Sequence, residues 1–147
     1  MAVRSGMTGA LEMEKRIKGI AQNYPKRVEA GAYYEFGIEC TEAKRRCPVY
    51  VGAPNKNIIP GLLRSTGQVH RPEWHGKTVT CVISFGAGGA EDYAIVQHER
   101  LDYFHTVGQA KYLESVLNES HPYMAGRIAQ HASLNNENMA PAPVVGD

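Results

Sequence analysis

QVHRPEWHGKTVTCVISF, residues 68–85, decides the fold class of this 147-residue chain. Val79, Cys81, Ile83 and Phe85 alternate with Thr78, Thr80, Val82 and Ser84, the period of two that a half-buried strand requires. Residues 68–74 and 77–85 therefore read as two strands about the turn His75-Gly76-Lys77. Pro72 cannot donate a ladder hydrogen bond, which places the first strand at an edge where another chain can pair.

The segments on either side have helical periodicity. Upstream, residues 8–23 carry Leu11, Ile17, Ile20 and Ala21 behind a capping Thr8. A second helix is predicted from Pro25, a residue suited to a first helical position, to Arg46. Its stripe of Val28, Ala32, Phe36, Cys40, Ala43 and Cys47 advances by three or four at each step. Gly31 and Gly37 within it each cost about 1 kcal/mol relative to alanine, so a close approach by another element is expected at both. Residues 48–60 hold three prolines and form a long loop, suited to an arm that orders against a neighbour. Residues 61–67 form a short turn, and residues 86–90, GAGGA, a flexible one without the lysine or spacing of a phosphate loop.

Downstream, residues 109–134 read as a last helix with Tyr112, Leu113, Val116, Leu117, Met124 and Ile128 inward, kinked or divided at Pro122. The prediction is an α+β domain over residues 1–134: a small antiparallel sheet, a β-hairpin plus a further strand, flanked by N-terminal helices and a C-terminal helix. Residues 135–147 are predicted to be a flexible tail.

Composition narrows the function classes. A formal charge of +1 with interspersed signs leaves no footprint for nucleic acid or anionic lipid. Lys44, Arg45 and Arg46 read as a solvated helix end complementing the macrodipole. No apolar run is long enough to cross a bilayer, and Glu12 and Glu14 interrupt the place where a signal peptide needs its apolar core. Synthesis and retention in a cytosol follow as an expectation. Cys40, Cys47 and Cys81, an odd number without CxxC spacing, are expected to be reduced.

Polar chemistry is densest in residues 91–114, EDYAIVQHERLDYFHTVGQAKYLE. A catalytic reading would use His98, Glu99 and His105, with His70 or His121, as ligands or acid–base groups. On a helix His98 and His105 stand about 10 Å apart along the axis, too far to share one metal ion directly. Ser65, Ser84 and Ser120 occupy no nucleophile elbow. Histidines that satisfy backbone carbonyls or subunit contacts are the favoured reading. A small metal-dependent hydrolase using His98, Glu99 and His105 is the alternative, and an accessory binding module a third.

Four motifs carry a resemblance: Gly61-Leu62-Leu63-Arg64-Ser65, Tyr93-Ala94, Gln97-His98-Glu99, and Gly108-Gln109-Ala110-Lys111-Tyr112-Leu113. In their order and spacing over residues 25–131 the chain resembles the neck, or head–tail connector, proteins of tailed bacteriophages. The resemblance implies a ring between portal vertex and tail tube, with no catalytic activity and no cofactor. It implies a cyclic homo-oligomer, a hexamer or dodecamer, partnered by neighbouring neck proteins and the tail tube protein. The location would be the virion neck, after synthesis in the host cytoplasm, with no membrane and no sequence-specific nucleic acid, though genome DNA would pass through the ring. Ile58-Ile59-Pro60 replaces the family's polar turn, and a long tail follows Asn135, which leaves open tail terminator, head-completion stopper or another connector. Subunit contacts are expected at Arg64, Trp74, Glu91, Asp92, Tyr93, His98 and Glu99. Arg64 is expected to pair with Glu91, Asp92 or Glu99, because a guanidinium fork suits a carboxylate.

Overall fold

The computed structural model describes residues 5–52 and 59–133, with side chains from residue 10 onward. Part of the 48–60 loop and the whole of the 135–147 tail lie outside the described residues. The fold is α+β. Helix α1 (Ser5–Arg46) is followed by the short α2 (Leu62–Ser65), then by strands β1 (Gln68–Val69), β2 (Glu73–His75), β3 (Thr78–Thr80) and β4 (Ile83–Ser84). Helices α3 (Glu91–Glu99) and α4 (Tyr112–Ala132) complete it.

The two predicted N-terminal helices are one, of 42 residues. Pro25 lies inside it, not at a start. Proline's fixed φ is itself helical, so the cost is one lost hydrogen bond and a steric contact with the preceding turn, and helix-forming residues on both sides carry the segment through. Pro122 likewise sits inside α4, which is undivided and begins at Tyr112.

The second half of α1 packs antiparallel on α4. A Cβ built on Gly31 would meet the Ile128 carbonyl oxygen and the His131 Cβ, each at 3.0 Å. The close approach expected at Gly31 is thus the α1–α4 crossing, while a Cβ at Gly37 meets nothing within 4 Å. The predicted stripe faces inward: Ala32, Cys40, Ala43 and Cys47 are buried and Val28 and Phe36 half-buried.

The hairpin forms about His75 and Thr78, interrupted in the middle. Trp74 pairs with Val79 and Glu73 with Thr80 in one ladder, Val69 with Ile83 and Gln68 with Ser84 in the other. Between them His70, Arg71 and Pro72 stand opposite only Cys81 and Val82, a bulge with one extra residue on the first strand. Pro72, buried and without an N–H, occupies this break, while the His70 N–H still reaches the Val82 carbonyl at 2.8 Å. The expected sheet therefore takes the form of two short antiparallel ladders.

Candidate interface around the C-terminus of α1

The last carbonyls of a helix have no intrahelical donors and must find others. At the end of α1 they recruit two distant segments, one around Arg64 and one around Gly108. Arg64 Nη2 donates to the Cys47 carbonyl at 2.8 Å and to the Arg45 carbonyl at 3.4 Å. The Gln109 N–H donates to the Arg46 carbonyl at 2.8 Å, and the Val49 N–H to the Val107 carbonyl at 3.2 Å. Gly108, between those two bonds, has φ +88°, and a Cβ there would lie 2.6 Å from the Pro48 backbone. Only glycine fits both the conformation and the space.

The apolar core sits directly beneath. Cys47, Leu63, Ala90, Ala94 and Tyr112 form one buried cluster, with Leu62, Phe85, Tyr93 and Leu113 packed against it. Gly86, at φ +103°, brings its backbone so close to α3 that a Cβ would be 2.7 Å from that of Ala94. Phe85 and His98 both meet the Tyr112 ring edge-on, at centroid distances of 5.1 and 4.9 Å. Burial pushes the Cys47 thiol up to about 12, partly opposed by the Arg64 guanidinium, and pushes the Tyr112 phenol upward too.

The histidine that stood out in the sequence serves backbone. His98 Nε2 accepts the Glu114 N–H at 3.4 Å, so the proton lies on Nδ1, which donates to Glu99 Oε1 at 2.8 Å. The His98 carbonyl accepts the Lys111 N–H at 2.7 Å. Lys111, in the left-handed region at φ 54°, starts α4 and is held by Glu99 at 2.5 Å and Glu114 at 2.8 Å. Lys111 and His98 hold the Glu99 carboxyl below its ordinary value. His98 thus caps α4 with one nitrogen and anchors Glu99 with the other.

Arg64 does not form the expected ion pair within the chain; helix-end carbonyls offer it a nearer site. Glu91 instead accepts the Gly89 N–H at 2.8 Å, ordering the glycine-rich turn ahead of α3. Asp92 is exposed on the first turn of α3 beside it, and Tyr93 is half-buried against the core. Trp74 stands apart, half-buried in β2, and His105 is in the loop after α3. The structure therefore brings Arg64, Tyr93, His98 and Glu99 to one junction and leaves Trp74 at the hairpin. Among the described residues no three His, Cys, Asp or Glu side chains are grouped to hold a metal ion, and no helix is long and apolar enough to cross a membrane. Cys40 and Cys47 are buried thiols and Cys81 a half-buried one, all free.

A second polar cluster was not foreseen. Glu35 and Glu39, 1% and 6% exposed, face α4 from the buried side of α1. Arg127 joins them, its Nε on Glu35 and its Nη2 3.0 Å from Glu39, and Ser120 bonds to both Glu39 and Arg127. Arg46, expected to be solvated, forks onto Glu119 with two bonds of 2.7 Å and holds Glu42 at 3.1 Å. The available signal was Glu35 and Glu39 at helical spacing beside an apolar stripe, with Arg127 on the helix predicted to cover it. Comparison with models of known protein families, with curated proteins and with solved structures found no match.

Proposed function

We propose that this chain is a structural protein of a tailed-bacteriophage neck, of the tail-completion or tail-terminator kind, which works by assembling into a cyclic homo-oligomer between head and tail tube. One observation carries the reading. The four motifs that give the resemblance, which lie on three segments of the chain, converge on the end of α1: Leu63 and Arg64, Ala94 and His98 of α3, and Gly108 to Tyr112. Their side chains cap helices, fill the core and permit close backbone approach, roles that fix a scaffold. Both nitrogens of His98 are engaged in that scaffold, which speaks against its service as a ligand or general base.

Gold-labelled antibody against the chain tests this on purified particles of the phage that encodes it. Label at the head–tail junction is expected; particles that lack the chain, or carry it scattered over the capsid, would overturn the proposal.

A further inference from the structure

Helix α1 carries a second apolar stripe beside the one buried on α4, and α4 reaches it only at Gly31 and Tyr34, through His131. This second stripe follows a strict heptad, with Ile17, Tyr24, Gly31, Ile38 and Arg45 at one set of positions and Met13, Ile20, Arg27, Tyr34 and Thr41 at the alternate set. Six of these ten are large apolar residues, and all six are exposed: Met13, Ile17, Ile20, Tyr24, Tyr34 and Ile38, from 38% to 64%. A repeat of 3.5 residues sustained over so many turns is the pattern of a seam that meets another helix. From residue 10 to 26 nothing among the described residues covers α1. A helical arm of that length is marginal alone, the more so with Gly19 and Pro25 within it.

The C-terminal half of the seam is already a groove. Tyr34, Ile38, Thr41 and Arg45 line a cavity of about 390 Å³ whose far wall is Gln68 and Val69 of β1. Gly37, whose Cβ position meets no described residue within 4 Å, also lines it.

We propose that the first half of α1 from one copy docks into this groove on the next copy, parallel to its α1 and shifted by 21 residues, three heptads. This deepens, and rests on, the cyclic self-assembly proposed above. The shift keeps seam on seam: Met13 meets Tyr34, Ile17 meets Ile38, Ile20 meets Thr41, and Tyr24 meets the Arg45 guanidinium, a cation–π pair. Ala21 faces Gly37, where the open backbone admits a close approach. Arg16 flanks Glu42, giving opposite charges across the contact.

The competing arrangements lack this complementarity. In register, Arg27 would face its own copy across the seam, as would Arg45. Antiparallel, Arg16 would lie beside Lys44 and Glu14 beside Glu42. The docked surfaces differ on the two copies, so each copy offers one of each, and repetition closes a ring where the rotation allows.

Cysteine pairing tests the register in a Cys81→Ser background. Differently tagged Ile17→Cys and Ile38→Cys chains are mixed and oxidised, beside each variant alone and beside Ile20→Cys with Ile38→Cys. A disulfide between unlike tags in the first mixture, much weaker in the second and absent from either variant alone, is expected. Arg16→Glu should raise the concentration for half-assembly about tenfold, and adding Glu42→Lys should restore it. Ile17 linking to Ile17, or Ile20 linking to Ile38 in preference, overturns the proposal. So does an Ile17→Asp chain of unchanged circular dichroism that keeps its wild-type assembled mass, and in that case ring assembly itself stands. A wild-type chain monomeric at every concentration removes ring assembly and this contact together.

Discussion

At the scale of the residue, the chain spends its polar groups on helix ends and on one buried pair. Arg127 is the only cation among the described residues joined to Glu35 and Glu39, both almost fully buried. Arg127→Ala leaves their charge uncompensated, at a cost of roughly 2–3 kcal/mol, less than the roughly 3–5 kcal/mol of a fully buried pair because the Arg127 side chain is itself 39% exposed. Urea unfolding measures it; a loss below about 0.5 kcal/mol would contradict the assignment. Cys47 gives a pH prediction. Its thiol rises from 9.0 to about 12 on folding, so the folded state gains from the neutral thiol below the unfolded value and loses that gain as pH climbs towards the folded one. Tyr112 moves in the same direction. The melting temperature should be flat from about pH 7 to 8.5 and fall above about 9, less steeply in Cys47→Ala; an equal slope in both would exclude Cys47. These roles were partly legible. His98 was expected to serve a backbone carbonyl or a subunit contact, and it accepts a backbone N–H instead; the partner of Arg64 was not foreseen either, because sequence does not reveal which helix end a distant guanidinium will reach.

At the scale of the element, glycines separate what the sequence predicted from what it did not. Gly31→Ala forces a Cβ against the backbone of α4, which cannot yield without parting the helices, and should destabilise by about 1–3 kcal/mol. Gly37→Ala meets open space and should stabilise the isolated chain by up to about 1 kcal/mol through helix propensity. Paired thermal melts should show opposite signs; equal effects would contradict the packing described. Periodicity located α1, α4 and the strands about His75, since the hydrophobic pattern is set by burial, but not α3, whose residues Glu91–Glu99 bury only Ala94 and carry little apolar stripe. Helix continuity through Pro25 and Pro122 was not legible, because a proline's local penalty competes with propensity summed over many neighbours. Nor was the bulge at His70 to Pro72, which depends on how two strands settle against α1.

At the scale of the whole molecule, a compact junction at one end of α1 contrasts with a helix that, among the described residues, is uncovered towards the other. The junction gathers segments spread over some fifty residues of the chain, and the half of α1 that no described residue covers leaves apolar surface exposed. Both fit a subunit that is finished by its neighbours. The most direct test is the mass of the purified full-length chain by light scattering across a concentration series, with metal content determined on the same sample. The account predicts a closed species of six or twelve times 16.2 kDa that grows in with concentration. A 16.2 kDa monomer at every concentration, carrying stoichiometric metal, would contradict it and return the argument to His98, Glu99 and His105.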